Sequence, residues 1–520
     1  MQWAQGYIAD IPYFGSFYKD QGPPHLRLAA LVAGRRAPQV EGGFRCLELG
    51  CGPGLSLAVM AAANPDAEFV GIDYNPGHVA TGRRWAREGE LDNLTLIEGD
   101  FGTLAQTART ELGEFDFVVC HGVYTWVGEP VRAGLRAILE QCVLPGGLVY
   151  MGYNAAPGWT SVSPLQKLML EHARLGGGRS DERAREAVKF AKALRQLGGK
   201  GLEFGALPEP LRAEDADLDA LDREHFRYVA HEYLCEHWSP MAHIDMARDM
   251  SAAKLSFVGS AVILEQFPET TATPEQRQLL ATLPAGPFRE LVKDVFSAVM
   301  FRKDIFMRGD APLRDVERNA ILGETMVALT RAPEAVNLKL QVRVGEVELP
   351  RHAYEPVIEK LAEGPQTIAD LEEVARAAGG GLTAAEIAGV LVGSHQVNPV
   401  FGETAIGPEG VRRFNEGLCA LQERELGLHH LGFAARLARN GLELNASDAL
   451  FYRLLAKQGY QADAATLTDA LLANVRDTGA KFNQNGVPVE DPTEEARLAA
   501  ETVDQGLKNK LPIWRTMGVF

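Results

Sequence analysis

The stretch CLELGCGPGLS, residues 46–56, decides the fold. Gly50, Gly52 and Gly54 stand at alternate positions between an apolar run (Phe44, Cys46, Leu47, Leu49) and a helix-like run, 55–63. The first run predicts a strand and the second a helix. The glycines between them predict a sharp turn whose backbone can approach a ligand closely. The new helix presents unpaired N–H groups at that corner. Roughly 20 residues on, FVGIDYN puts Asp73 at the end of a second apolar run, where an acidic side chain of a nucleotide-binding βαβ unit meets ribose hydroxyls.

Working outward, strands are predicted at 45–49, 68–72, 94–98, 115–120 and 148–153, with helices at 55–63, 77–88 and 130–142 between them. Strictly alternating strands and helices make an α/β domain around a parallel sheet. Ligands of such sheets bind at the carboxyl ends of the strands. NAD enzymes favour G-x-G-x-x-G there. This chain has G-x-G-x-G with Glu48 just upstream, the spacing of class I methyltransferases, whose cofactor is S-adenosylmethionine, and no Tyr-x-x-x-Lys pair follows.

Methyl transfer needs a cofactor cradle and a shaped slot for the nucleophile rather than a triad. The cradle reads strand by strand. Gly50 and Gly52 would pack on the methionyl and ribose part, and Glu48 would hold the loop or the amino group. Asp73 would accept from the ribose hydroxyls, with Tyr74 beside the adenine. Asp100 and Phe101 in IEGDF would meet the adenine amino group and face; a helix N-cap is the plainer reading of Asp100. FDFVVCHGVYTWV, 115–127, offers His121, Tyr124 and Trp126 where the methyl is presented, since aromatic faces attract sulfonium and ammonium cations. MGYNAAPGW, 151–159, offers Tyr153 and Asn154 to orient an amine, or else a simple turn before Pro157. The N-terminal aromatics Trp3, Tyr7, Tyr13, Phe14, Phe17 and Tyr18 read either as a lid over the site, with Tyr13 and Tyr18 toward substrate, or as an apolar segment packed on the sheet.

Composition narrows the function further. At 520 residues the chain exceeds a single core. No apolar run reaches the roughly 20 residues that span a bilayer, and the start lacks the basic and apolar regions of a signal peptide. Net charge of −17 argues against nucleic acid or an anionic membrane as partner and suits a basic protein surface. Six scattered cysteines form no C-x-x-C pair, so neither zinc nor a disulfide framework is expected, and a reducing cytoplasm fits. His225, His231, His237 and His243 recur every six residues, a spacing that does not share a helix face, so no metal is expected.

Five segments carry a resemblance: HGVYTWV (121–127), YNAAPGW (153–159), HEYLCEHWSPM (231–241), AVMFRKDIFMRG (298–309) and LPIWRTMGVF (511–520). Together they resemble the bacterial methyltransferases that carry a methyltransferase regulatory domain, a family that includes protein-lysine methyltransferases of outer-membrane proteins. CEHW departs from the more acidic form of that segment. The resemblance implies an open substrate cavity between an S-adenosylmethionine domain, a helical insertion used in dimer formation, a middle domain and a C-terminal domain. Gly50, Gly52, Asp73, Asp100 and His121 carry over as cofactor residues. The expected architecture is a Rossmann-like methyltransferase domain at 1–160, a helical insertion at 161–225, a regulatory domain at 226–337, a winged-helix-like domain at 338–408 and a helical domain at 409–520. The expected substrate is a protein lysine, on an outer-membrane or other exported protein before export. A small-molecule substrate, or a binding scaffold without catalysis, are the alternatives.

Overall fold

The computed structural model describes residues 6–13, 15–213, 217–402, 407–424, 428–461, 463–484 and 487–520; Trp3 and Phe14 lie outside them. The predicted strands form where the apolar runs placed them: β1 (Arg45–Leu49), β2 (Glu68–Asp73), β3 (Leu94–Glu98), β4 (Phe115–His121) and β5 (Val143–Asn154). All five pair in parallel. Helix α1 (Pro23–Val32) precedes β1, and α2 (Leu55–Ala63), α3 (Pro76–Glu88) and α4 (Glu129–Cys142) connect the strands. β1 is buried from Cys46 to Leu49, because it lies inside the sheet, between β2 and β4, with layers on both faces.

The sheet does not end at β5. The chain leaves it for a helical stretch whose longer helices are α5 (Ser163–Leu175), α6 (Ser180–Gln196), α7 (Arg223–Tyr233) and α8 (His243–Ala252). It then returns as β6 (Leu255–Ser260), passes through α9 (Pro287–Ser297), and closes with β7 (Phe301–Arg308). β7 runs antiparallel to β5 from Leu148↔Met307 to Asn154↔Phe301, and β6 pairs antiparallel with β7. The order is β3-β2-β1-β4-β5-β7-β6. The strands within residues 255–308 thus share one sheet with those of 45–154, across the expected boundaries at 160 and 226. The physical reason is the edge of β5, whose unpaired N–H and C=O groups β7 covers.

The C-terminal half holds a hairpin, β8 (Lys339–Val342) and β9 (Gly345–Glu348), then helices Arg351–Ala362, Ile368–Ala377 and Ala384–Ile387. The region from 409 onward is not all helical. It contains an antiparallel hairpin, β10 (Leu428–Ala435) and β11 (Asn440–Leu444), and the short N-terminal strand Gly15–Ser16 adds to β10 in parallel. The hairpin packs on α2. Arg439 pairs with Asp66, and Asn64 Nδ2 donates to Arg439 O at 2.9 Å. That is why α2, LSLAVMAAA, is buried on all sides: the sheet covers one face and the hairpin the other. Among the described residues no helix is long and apolar enough to cross a membrane.

Candidate active site

The glycine corner is built as its spacing requires. Gly50 N and Cys51 N both donate to Ile72 O, at 2.8 and 3.1 Å, bending the chain off β1. Gly50, Gly52 and Gly54 have φ of +79°, +55° and +76°, the left-handed region open to glycine. A Cβ on Gly50 would lie 2.3 Å from Val123 Cγ2, whereas one on Gly52 would meet nothing within 4 Å: that side opens into a cavity. Asp73, ending β2, closes the corner. Its Oδ2 accepts from Gly52 N at 2.8 Å, and its Oδ1 from Asn75 N at 2.8 Å and from His78 Nδ1 at 3.1 Å. His78 Nε2 in turn accepts from Tyr13 N at 3.3 Å, so the imidazole carries its proton on Nδ1 and ties the N-terminal segment to the loop. Tyr18 N donates to Ser56 Oγ at 3.1 Å, a second tie, at the start of α2.

The cavity measures about 910 Å³ and runs from the glycine loop past the ends of β2–β5 to α7 and β7. Of the cofactor residues expected from sequence, Glu48, Gly50, Gly52, Asp73, Tyr74, Asp100, Phe101 and His121 all line it. Glu48 Oε2 is buried without a partner, and burial, then the Asp73 charge, push its carboxyl up to about 8. Asp100 is the N-cap of the short helix Phe101–Leu104, accepting from Thr103 N at 2.8 Å, and it also lines the cavity. His121 Nδ1 lies 2.9 Å from Tyr150 OH, and its ring centre 4.4 Å from that of Tyr18. Burial and then Lys303 push His121 down to about 3, which keeps it neutral and leaves it a poor proton acceptor.

On the substrate side Tyr13, Tyr18, Trp126 and Asn154 line the cavity; Tyr124 and Tyr153 do not. Tyr124 is fully buried, donating to Asp249 Oδ2 at 2.7 Å and accepting from Arg136 Nη1 at 2.8 Å. Tyr153 points to the opposite face of β5, where its hydroxyl donates to Asp304 Oδ2 at 2.7 Å. Strand alternation is the reason: Gly152 and Asn154 share the cavity face and Tyr153 cannot.

Several wall residues were not expected at this site from sequence. Tyr228, His231 and Glu232 come from α7, and Trp159 follows β5. Glu232 Oε1 accepts from Asn154 Nδ2 at 3.1 Å, and burial pushes its carboxyl up to about 7 against the lowering effect of that bond. Phe301 and Lys303 project from β7, with Lys303 Nζ donating to Asp20 Oδ2 at 2.6 Å. Gln21 lines the same end, and both its amide atoms are buried without partners. β7 carries no apolar–polar alternation, since Arg302, Lys303 and Asp304 stand together between Met300–Phe301 and Ile305–Phe306, so no local pattern marked it as a strand. Among the described residues no group of three or more His, Cys, Asp or Glu could hold a metal ion.

The donor set fits S-adenosylmethionine. The open face of Gly52 admits a ligand against backbone, and the unpartnered Glu48 Oε2 and Gln21 amide offer an acceptor and a donor to an amino acid's charged ends.

Comparison with known proteins agrees with the geometry. Residues 41–154 match a family described as "Methyltransferase domain", and residues 225–308 match one described as "Predicted methyltransferase regulatory domain". An uncharacterised protein of Synechocystis is 28% identical over 521 residues, covering 100% of both chains. A trans-aconitate 2-methyltransferase of Methylobacterium nodulans is 30% identical over 103 residues, 20% of this chain and 35% of that one. Among solved structures, PKMT2 from Rickettsia typhi, in complex with AdoHcy, superposes with a TM-score of 0.70 at 17% identity, covering 96% of this chain and 98% of that one, and so shares its fold. The matched regulatory segment contains β6 and β7, which complete the sheet, and the part of α7 that, with β7, walls the cavity. The chain is an S-adenosylmethionine-dependent methyltransferase, a class I methyltransferase domain whose sheet and site are completed by a methyltransferase regulatory domain.

Proposed function

We propose that the chain methylates lysine side chains of proteins. The observation that carries this reading is the cavity beyond the glycine loop, whose lining includes Tyr13, Tyr18, Trp126 and Tyr228 together with Asn154 and Glu232. Ligand pockets typically span ~300–1,000 Å³, and this one lies near the top of that range, leaving room past the cofactor. An aromatic slot suits a long apolar stem ending in a cation.

Gly50 and Gly52 would hold the cofactor's methionyl and ribose part, Asp73 its ribose, Asp100 and Phe101 its adenine, and Glu48 its ammonium group. When bound, S-adenosylmethionine supplies an electrophilic methyl carbon on a sulfonium. The remaining work belongs to the chain: aligning an amine with that carbon, excluding water, and lowering the amine's proton affinity. A free lysine has a pKa of about 10.4 and is almost wholly protonated at neutral pH. Desolvation among the four aromatic rings favours the neutral, nucleophilic form. The resemblance to lysine methyltransferases of outer-membrane proteins and the fold shared with PKMT2 support the same reading.

The test is to incubate the purified chain with isotopically labelled S-adenosylmethionine and a lysate divided into protein and small-molecule fractions. Label on protein lysines, located by mass spectrometry, is expected. Label confined to the small-molecule fraction would replace the reading with a metabolite methyltransferase.

A further inference from the structure

A primary amine entering the aromatic slot arrives as an ammonium ion, and something must take its proton. His121 lines the cavity, but burial and then the Lys303 charge disfavour a proton there. Tyr124 and Tyr153 lie outside the cavity. Asp73 already accepts from Gly52, Asn75 and His78. Of the other carboxyl groups on the cavity wall, Glu48 stands on the glycine-loop strand, Asp100 caps the helix after β3, Glu129 pairs with Arg136, and Glu232 comes from the insertion. Glu232 projects from α7, four residues after Tyr228, so that both fall on the same face of the helix.

Its partner makes the placement specific. Asn154 is the last residue of β5, next to the end of β4 at the strand ends where class I ligands bind. The asparagine is fixed on three sides. Its backbone N–H donates to Thr125 Oγ1 at 3.4 Å, its carbonyl accepts from Met241 N at 2.9 Å, and its amide donates to Glu232 Oε1 at 3.1 Å. The amide thus holds one carboxylate oxygen and sets the direction of the other.

We propose that Glu232 is the proton acceptor for the amine substrate, positioned by Asn154; this rests on the lysine-methylation reading above. An N–H bond of the ammonium breaks, its electron pair stays on nitrogen as the attacking lone pair, and an O–H bond forms on Glu232. The carboxyl then returns the proton to solvent. Each further methylation of the same nitrogen requires another such proton loss, which the same residue performs.

The ionisable groups around Glu232 are consistent with this role. Tyr13 from the N-terminal segment, Tyr228 and Tyr233 from α7, and Cys235 beyond it all have their ionisation suppressed, first by burial. His231 is held neutral by burial, and His237 lies on the same wall. Arg227 of α7 pairs with Glu224 at 2.6 Å. The acidity of Glu232 is set by burial, which raises its pKa, and by the Asn154 amide, which lowers it, to about 7.

The test uses the full chain loaded with AdoHcy and n-butylammonium as the probe, a lysine side chain without its backbone, with binding followed by calorimetry across pH. Wild type is expected to bind the probe more tightly as pH rises through about 7, because the carboxylate forms there. Glu232→Gln should bind it roughly tenfold or more weakly and lose the pH dependence, while keeping AdoHcy affinity. Asn154→Ala should move the midpoint upward, since the hydrogen bond that favours the charged form is gone; this second variant does not depend on the glutamine variant folding. Equal binding by wild type and Glu232→Gln, or a midpoint unmoved by Asn154→Ala, overturns the role of Glu232 and leaves lysine methylation standing. No binding of n-butylammonium by wild type at any pH overturns the amine reading itself, and the proposal with it.

Discussion

Both carboxylate oxygens of Asp73 accept hydrogen bonds from the chain itself, from Gly52 N, Asn75 N and His78. The residue therefore shapes the corner as well as facing the ligand. Asp73→Ala is expected to weaken AdoHcy binding by about 2–3 kcal/mol, because it removes a charged acceptor and releases the loop. Calorimetry checks this; unchanged affinity would mean the β1–β2 corner does not hold the cofactor. Glu48 behaves differently. Its raised carboxyl, at about 8, means the folded chain holds a proton that the unfolded chain has released above its ordinary value of 4.5. The linked stability is fully present below that ordinary value. It declines by about 1.4 kcal/mol for each pH unit above it and is gone once pH has risen through about 8. Glu48→Gln should thus raise the ligand-free melting temperature above pH 8 and leave it nearly unchanged in acid. A lower melting temperature at high pH would show that Glu48 is charged and paired in the fold.

The hairpin β10–β11 is the element that joins the two ends of the chain. Phe17 lies over it, and a Cβ added to Gly432 or Gly441 would come within 2.3 Å of the phenylalanine ring. The next residue, Tyr18, lines the cavity. Overpacking of this kind costs ~1–3 kcal/mol, so Gly441→Ala should lower the urea midpoint and, by displacing the segment that carries Tyr13 and Tyr18, weaken AdoHcy binding as well. Loss of stability with full AdoHcy affinity would confine the hairpin's role to the C-terminal half. This element was not legible in the sequence, because its pairing with Gly15–Ser16 joins residues more than 400 positions apart, and periodicity reads only neighbours. β1–β5 were legible because each is an apolar run flanked by glycine, aspartate or a helix. Tyr124 and Asn154 mark the boundary within the site: strand alternation separates Tyr153 from Asn154, but nothing local tells that Tyr124 turns toward Asp249. Glu232 was beyond reach for a related reason, since α7 reaches the cavity only once the insertion folds back over the strand ends.

At the scale of the whole molecule, the cofactor corner is held from both halves of the chain. α2, which begins just after Gly54, lies between the sheet and β10–β11, and Phe414 of the helix Glu409–Arg424 borders Leu55, Ala58 and Trp85 on the same side. Asn440 Nδ2 donates to Lys19 O at 3.1 Å, and Phe17 N donates to His430 O at 2.7 Å, so the N-terminal wall of the site also rests on the C-terminal hairpin. The two halves could not separate without exposing an almost entirely apolar helix. They should therefore unfold together, although chains of this length often unfold domain by domain. A ligand that binds only the folded state stabilises it by about 2.7 kcal/mol at a hundredfold excess over its dissociation constant. AdoHcy at that level should move a single transition upward, and near-ultraviolet signals from Trp514, packed against Phe433 and Phe451 far from the glycine loop, should shift with it by the same amount. A C-terminal signal that melts separately, at a temperature AdoHcy does not change, would show that α2 keeps its burial without the hairpin and that the halves are joined only by the chain.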